Sequence, residues 1–289
     1  MATFTLSVIT DEITHDFGRA LEVSAKEFGL GSVEVRELWG KNIMKLDSKE
    51  IAEARRLLER YRVRVSSIAS PIFKVDWPDA PISKYSPKRD EFRADYTFAQ
   101  QGELLERGLE LGRVFNTTNL RIFDFWRLDD QAPYREAIDQ KLIDAAGLAG
   151  KSGITLLLEN EHACNTATGA EAARTLAAVQ SRYFKLNWDP GNAAARGEVP
   201  FPDGYALLPK ARIGYMHCKD IIRKPDGNTE WMAMGRGIID YTGQFRALKR
   251  DGYHGTLSLE THWRGAGTPE ECTRQSMAGM KELLRRAKV

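Results

Sequence analysis

The sequence predicts a closed (β/α)8 TIM barrel, in which eight parallel strands alternate with helices in a single domain over residues 1–289. Two observations support this fold class. Short apolar runs of strand length recur eight times along the chain, with helical stretches between them. A length of 289 residues is typical of one such barrel. An open, doubly wound sheet is the alternative that the same alternation allows.

The eight strand candidates are rich in β-branched, aromatic and aliphatic residues. In chain order they are Phe4–Thr10, Val33–Arg36, Val63–Ile68, Thr118–Phe123, Ile154–Leu158, Tyr183–Trp188, Ile213–Met216 and Thr256–Leu259. The last four are each followed by loop-forming residues, which indicates that the strands end there.

Helix-start signals occur in several of the segments between strands. Residues 47–50 (Asp-Ser-Lys-Glu) and 168–171 (Thr-Gly-Ala-Glu) have the spacing of capping boxes. Thr268 is followed by Pro269, a residue favoured in the first helical position. After the first of these signals, apolar residues fall on one helical face: Ile51, Ala54, Leu57, Leu58 and Tyr61.

Composition and charge narrow the range of functions. The chain has 42 basic and 40 acidic residues, a net charge of +2, so a general nucleic-acid-binding surface is not indicated. Its three cysteines form no CxxC pair, which argues against a disulfide framework. There is no long apolar run of transmembrane length and no signal-peptide pattern at the N-terminus. We therefore expect a cytoplasmic protein without membrane or nucleic-acid partners, and leave homo-oligomerisation open.

Two connections are longer than a bare helix requires. Residues 71–91 contain four prolines together with Phe73 and Trp77, and residues 221–238 contain Trp231. Loops that follow the strands form the active-site face of a barrel. We expect Phe73 and Trp77 to pack over the barrel mouth as a lid, whereas ordinary surface loops are the alternative.

Four chemically distinctive residues stand where successive apolar runs end: Glu159, Asp189, His217 and Glu260. In a parallel barrel these positions share one end, so three carboxylates and one imidazole can converge. Such a set suits a divalent cation such as Mn²⁺, Mg²⁺, Co²⁺ or Zn²⁺. Because strand side chains alternate, polar residues such as Asn187, Tyr215 and Ser258 are expected on the same inward face.

The strand ends also carry a resemblance. Leu-Leu-Leu-Glu159-Asn, Asn-Trp-Asp189-Pro-Gly-Asn192, Met-His217-Cys-Lys219-Asp220 and Ser-Leu-Glu260-Thr-His262 are similar to those of xylose isomerase-like TIM barrels. That sugar isomerase and epimerase superfamily includes ketose 3-epimerases, hydroxypyruvate isomerase and inosose dehydratase, and often has a Gly-x-Gly-x-x-Asp segment like residues 235–240 here.

The resemblance implies that Glu159, Asp189, His217 and Glu260 ligate the metal and that Glu159 and Glu260 also act as acid and base. One departure concerns Asn192, which stands where many of the epimerases have a substrate-contacting histidine. Asparagine cannot carry a proton at neutral pH, which weakens a tagatose- or psicose-type assignment. The extra histidines of the related endonuclease IV zinc cluster are missing from the end of strand 3 and from residues 189–197.

Other polar or aromatic residues lie near the predicted mouth and are candidates for substrate contact. Alternatives are a buried ion pair for Glu34 and Arg36, and a rim position for Arg121, His162 and His262. The full set of candidate substrate-binding residues is Glu34, Arg36, Trp77, Arg121, His162, Asn192, Lys219 and His262.

The expected function is a sugar or polyol isomerase or epimerase that uses one divalent metal ion, Mn²⁺ first, and proceeds through an enediolate. Glutamates on strands 5 and 8 can address both faces of such a planar intermediate. A dehydratase or lyase of a keto-sugar or inosose shares the first step and is the alternative. A sugar-binding accessory or sensor barrel is the non-enzymatic alternative.

Overall fold

The computed structural model describes residues 4–86 and 94–289 and confirms the barrel. Its strands are β1 (Thr5–Val8), β2 (Ser32–Val35), β3 (Arg64–Ala69), β4 (Asn119–Ile122), β5 (Thr155–Glu159), β6 (Phe184–Trp188), β7 (Ile213–Cys218) and β8 (Thr256–Leu259). Each overlaps the strand expected from the sequence. The ends differ most at β1, which is shorter, and at β5 and β7, which extend to include Glu159 and His217.

The strands form one parallel sheet in the order β1-β8-β7-β6-β5-β4-β3-β2. A parallel bridge between Ile9 and Glu34 joins the two ends of this sheet. The sheet is therefore almost closed, as a barrel requires and an open doubly wound sheet does not. Register irregularities occur at Val33/Glu34 and at Leu186/Asn187, directly before two strand ends that carry polar residues.

Helices cover the outside of the barrel. They are α1 (Phe17–Glu22), α2 (Ser48–Tyr61), α3 (Gln101–Val114), α4 (Arg135–Lys151), α5 (Gly169–Ala178), α6 (Pro190–Ala195), α7 (Tyr205–Leu207), α8 (Tyr241–Arg250) and α9 (Pro269–Ala287). The outward residues of the strands and the inner faces of the helices form one continuous hydrophobic core. On α2, the predicted stripe buries Ala54, Leu57 and Leu58.

The predicted helix starts are confirmed. Asp47 and Thr168 form complete capping boxes with Glu50 and Glu171 at the starts of α2 and α5. The Thr268 side chain accepts a hydrogen bond from the Glu271 amide at the start of α9. Each box satisfies amide groups that the first helical turn leaves without partners.

Two small hairpins extend the loops at the carboxyl ends of the strands. One pairs Glu37–Leu38 with Lys41–Asn42 after β2. The other, the β7 hairpin, pairs Asp220–Arg223 with Thr229–Met232. The first long loop, predicted over residues 71–91, is described only as far as residue 86, and its Pro87 lies outside the described residues. Within the described ranges, no helix is both long enough and apolar enough to cross a bilayer.

Candidate metal centre and active site

The four strand-end residues converge at the carboxyl end of the barrel. Glu159 ends β5, Asp189 directly follows β6, His217 lies near the end of β7, and Glu260 directly follows β8. All four are buried, and one ligand atom from each lies within 4.8 Å of each of the others. We call these residues the four-residue cluster.

The His217 imidazole fixes the centre of the cluster. Its Nδ1 lies 3.4 Å from Glu159 Oε1, 3.8 Å from Asp189 Oδ2 and 3.3 Å from Glu260 Oε2. Its Nε2 lies 3.0 Å from the buried Glu34 carboxylate. Burial opposes a charge on this ring, but the carboxylates of Glu34, Glu159 and Glu260 raise the pKa of His217 well above its ordinary value. In the metal-free protein the ring is therefore protonated, with Nε2 towards Glu34 and Nδ1 towards three carboxylate oxygens.

Each member of the cluster has one polar atom tied to the scaffold and another turned inward. Arg121 Nη1 donates to Glu159 Oε2 at 3.1 Å, and Arg36 Nη1 donates to Glu260 Oε1 at 2.9 Å. The amide of Asn192 donates to Asp189 Oδ1 at 3.0 Å. The inward atoms are those that surround His217 Nδ1.

This arrangement fits a divalent cation. His217 Nδ1 is buried and has no hydrogen-bond partner among the described residues. Three carboxylate oxygens around one nitrogen need a positive charge among them, which a proton on Nδ1 supplies in the metal-free protein and a metal ion that replaces this proton would supply. Ligands at roughly 2.1 Å from one ion lie about 3.0–3.4 Å apart, close to the shortest separations at Nδ1. The buried cluster can therefore hold a metal ion through three oxygens and one nitrogen.

A family comparison agrees with this geometry. The model of the xylose isomerase-like TIM barrel family matches residues 23–283. The chain belongs to the xylose isomerase-like TIM barrel family. No curated protein matches it in sequence.

Solved structures of low identity share the fold of this xylose isomerase-like barrel. A probable 3-DHS dehydratase, AsbF of Bacillus anthracis, is 20% identical with a TM-score of 0.71, covering 97% of this chain and 98% of that one. D-allulose 3-epimerase from Methylomonas sp., in complex with D-allulose, is 17% identical (TM-score 0.69, 98% and 97% covered). A Mycobacterium smegmatis protein of the family in complex with magnesium is 18% identical (TM-score 0.68, 94% and 89% covered).

Asp189 is positioned by the start of α6. It caps that helix, while its own backbone N–H and C=O are bonded to the buried side chain of Asn160. Burial raises the pKa of Asp189 to about 6, although the nearby Lys219 ammonium lowers it. The helix can approach this closely because of Gly191, where a Cβ would lie 2.6 Å from Lys219 Cγ.

Lys219 is the buried cation closest to the inward atoms. Its Nζ lies 2.7 Å from Glu260 Oε2 and 2.9 Å from Asp189 Oδ2. Burial opposes its charge, but the carboxylates of Asp189 and Glu260 hold the pKa of Lys219 well above its ordinary value. It is therefore a charged donor at the edge of the cluster.

The carboxylates at Glu159 and Glu260 are both ionised. Burial alone would raise the pKa of Glu159, but the charges of His217 and Arg121 hold it below its ordinary value. For Glu260 burial is likewise outweighed, chiefly by Lys219 and His262, and its pKa lies well below the ordinary range. Both side chains can therefore accept a proton.

The predicted residues on β2 and β4 support the cluster. Glu34 orients His217, and Arg121 places Glu159 while its guanidinium also donates to the carbonyls of Ala69 and Ser70. For Glu34, Arg36 and Arg121 the structure thus shows contacts with the cluster, and a contact with substrate stays a prediction.

Arg36 links the cluster to the loop after β1. Besides Glu260 it contacts Asp11 at 2.7 Å and Glu12 at 2.8 Å, all within the protein interior. Burial raises the pKa of Glu12, but the charges of His262, Arg36 and Arg264 bring it to about 2. Asp11 and Glu12 thus hold the guanidinium that in turn holds Glu260.

Asn192 and His162 lie on the Glu159 side. The Asn192 side chain donates to Glu159 Oε1 at 3.2 Å and its oxygen lies 3.0 Å from His162 Nδ1. The same nitrogen of His162 lies 2.6 Å from the buried carboxylate of Glu161. The Glu161 charge raises the pKa of His162, and burial reduces that rise.

His262 lies on the opposite side. Its Nε2 is 3.4 Å from Glu260 Oε1 and its Nδ1 is 3.7 Å from Glu12. Its backbone has φ of 47°, a left-handed conformation that is rare outside glycine and turns the chain directly after Glu260.

Trp77 has other neighbours. Its ring packs edge-on against Phe98 at 5.4 Å and Phe125 at 4.8 Å, and Phe73 is fully buried against Phe125. These contacts belong to the hydrophobic core. A lid over the barrel mouth and a substrate contact at Trp77 therefore stay predictions.

Three residues that the structure brings to the site were not among the predicted site residues. Glu161 contacts His162, and Lys74 lies 3.5 Å from Glu161. Trp231 lies beside both His162 and His262. Glu161 could have been noticed as the acidic residue preceding His162. Trp231 was visible only as an aromatic residue in a long loop, since its direction depends on the fold of the β7 hairpin.

Proposed function

We propose that this chain is a divalent-metal-dependent isomerase or epimerase of a sugar or sugar-like polyol. The observation that carries the proposal is the set of inward atoms around His217 Nδ1, where two ionised glutamates from β5 and β8 flank one metal position. Mn²⁺ is the preferred ion, because three oxygens and one nitrogen form a mixed ligand set that leaves positions free for a polyol.

The residues of the chain supply the acid and base. A bound divalent cation stabilises negative charge that develops on the substrate oxygens. One of Glu159 and Glu260 removes a proton beside the carbonyl, which gives an enediolate, and the other takes up a proton from solvent and delivers it to the opposite face. Arg121 and Arg36 hold the two carboxylates in place, and Lys219 donates a charged hydrogen bond to a substrate oxygen.

Relatives are consistent with this chemistry at the level of reaction class. The similar structures include an epimerase in complex with D-allulose and a protein in complex with magnesium. A sugar-processing enzyme is the function these relatives favour, and the choice of reaction rests on the residues of this chain.

Dehydration or a related lyase reaction is the second candidate. A specific observation favours it: His162 is held by Glu161 at 2.6 Å, and the Glu161 charge raises the pKa of the imidazole. A protonated imidazole beside the site can protonate a leaving hydroxyl or glycosidic oxygen. The similar structures also include a probable dehydratase.

The deciding experiment combines metal analysis with solvent exchange. The purified protein is assayed for bound metal, then incubated in D₂O with ketoses, keto-glycosides and inososes. We expect Mn²⁺-dependent deuterium incorporation that chelator abolishes. A product whose mass differs from that of the substrate only by the deuterium taken up establishes isomerisation or epimerisation, whereas loss of water or release of an aglycone establishes the lyase reaction.

Variants assign the two glutamates. Glu159→Gln and Glu260→Gln are expected to lose turnover by at least about a thousandfold with an unchanged fold, since each amide keeps the shape but cannot accept the proton. Glu171→Gln is the matched control, because Glu171 pairs with Arg127 outside the cluster. Full activity in both cluster variants removes them from the mechanism. Metal binding without exchange on any substrate favours a sugar-binding sensor instead.

A further inference from the structure

Trp231 lies over the entrance to the four-residue cluster. Lys219 Nζ is 5.1 Å from the centroid of the indole, and the same nitrogen contacts Asp189 and Glu260. The lysine ammonium therefore lies between one face of the indole and the carboxylates of Asp189 and Glu260.

The indole is flanked on two sides by imidazoles. The ring of His262 lies 5.5 Å away at an interplanar angle of 35°, and that of His162 lies 6.2 Å away at 63°. These two histidines come from the loops after β8 and β5, on either side of the site. The three rings thus form one aromatic group beside the buried carboxylates and Lys219.

The β7 hairpin holds Trp231 in this position. Trp231 is paired across the hairpin with Ile221, which is fully buried. At the base of the hairpin, the Asp220 carboxylate accepts hydrogen bonds from the amides of Gly235 and Gly237. A Cβ at Gly237 would lie 2.1 Å from that carboxylate, so this close anchoring depends on glycine.

We infer that Trp231 is a specificity-determining platform on which the ring of a cyclic substrate stacks. The inference rests on the proposed function and restricts its substrate class to cyclic polyols whose ring carries the carbonyl, namely inososes and keto-glycosides. Such a ring offers hydroxyl groups at its edge to Lys219 and the metal, and a flat C–H face to the indole. An open-chain polyol has no flat face unless several rotatable bonds are frozen, which costs conformational entropy.

The test compares two polyols of equal hydroxyl number, myo-inositol as the ring and D-sorbitol as the open chain. Isothermal titration calorimetry measures their binding to the Mn²⁺-loaded protein and to Trp231→Leu and Trp231→Phe. We expect myo-inositol to bind about tenfold more weakly to the leucine variant, as the loss of one aromatic stack implies, and to regain most of its affinity with phenylalanine. Sorbitol affinity should not change.

Tryptophan fluorescence gives an independent readout. Binding of myo-inositol should change the emission of the parent protein, and Trp231→Phe should lose that change while it still binds. Trp39→Phe is the matched control, because Trp39 is 38% exposed and its ring packs on Phe17. Its emission change on binding should remain.

Two results overturn the platform: myo-inositol affinity in Trp231→Leu within twofold of the parent, or no myo-inositol binding to the parent at all. Equal losses for both polyols would also overturn it, since that indicates a general disturbance of the hairpin. These measurements need no turnover. Failure of the solvent-exchange assay with intact, Trp231-dependent binding would therefore reject the proposed reaction and leave the platform standing.

Discussion

Replacing Glu34 tests how the imidazole of the cluster is oriented. Glu34 is completely buried and its Oε2 lies 3.0 Å from His217 Nε2. In Glu34→Ala, nothing holds the proton on Nε2, so the ring is free to place it on Nδ1, the atom that faces the other three ligands. In Glu34→Gln, the amide oxygen still accepts the Nε2 hydrogen, but the negative charge that makes the ring a stronger ligand is gone.

The expected magnitude follows from the partner that each variant loses. Loss of such an outer partner weakens metal binding by about 10–100-fold. We expect Glu34→Gln to weaken Mn²⁺ binding about tenfold, or about 1.4 kcal/mol, and Glu34→Ala to weaken it about a hundredfold, or about 2.7 kcal/mol. Glu171→Gln is the control, because Glu171 pairs with Arg127 outside the cluster.

The assay is a competition titration of Mn²⁺ against a fluorescent chelator, with circular dichroism to confirm that each variant is folded. The expected order of affinity is parent and Glu171→Gln, then Glu34→Gln, then Glu34→Ala. An unchanged Mn²⁺ affinity in a folded Glu34→Ala would refute the reasoning, because it would mean that His217 is either correctly oriented without Glu34 or not a ligand.

Three further predictions follow from the same geometry. The raised pKa of Asp189, about 6, means that the folded metal-free protein binds this proton more tightly than the unfolded chain. The stability of the metal-free protein should therefore rise as pH falls from 8 to 5, and the gain in Tm from added Mn²⁺ should shrink because the proton competes with the ion for Asp189. Calorimetric scans in Mn²⁺ and in chelator measure both effects. A Mn²⁺ effect on Tm that grows towards pH 5 would contradict this prediction. Gly191→Ala should lower turnover at least about tenfold, because its Cβ would lie 2.6 Å from Lys219 Cγ. Gly147→Ala is the control and should leave turnover unchanged, because a Cβ there has no atom within 4 Å. Trp77→Ala should lower the free energy of unfolding by about 2 kcal/mol in urea titrations because a half-buried ring leaves two phenylalanines; a raised Michaelis constant in that variant is expected only if the ring also touches substrate.

The barrel and the cluster could be predicted because both depend on local periodicity. Parallel strands end on the same side of a barrel, so Glu159, Asp189, His217 and Glu260 needed only four correct strand ends to be brought together. An error of one or two residues in an end, as at β7, moves no side chain to another face, because alternation is counted from the ligand itself. The cluster was therefore insensitive to the least certain part of the prediction.

The partners of each side chain could not be predicted in the same way. Glu34 and Arg36 are two residues apart on one face, yet Glu34 contacts His217 and Arg36 contacts Glu260, Asp11 and Glu12. The carboxylate that pairs with a given arginine is determined by strand register and by loops distant in sequence. Trp77 and Trp231 illustrate the same limit, since both lie in long loops but only Trp231 is aimed at the cluster by its hairpin.

Each side chain of the cluster has an outer atom bonded to the scaffold and an inward atom, which explains how this site can form in a folded protein before any ion binds. Arg121, Arg36, Glu34 and the amide of Asn192 each hold the outer atom of one ligand. Hydrogen bonds to the scaffold therefore orient these side chains, and they do not depend on a bound cation. In the metal-free protein the protonated His217 and the Lys219 ammonium reduce the repulsion among the inward carboxylate oxygens. A bound cation would take over the part of the His217 proton. In the proposed enzyme, the binding energy of the cation is therefore available for polarising a substrate, because little of it is needed to fold the site.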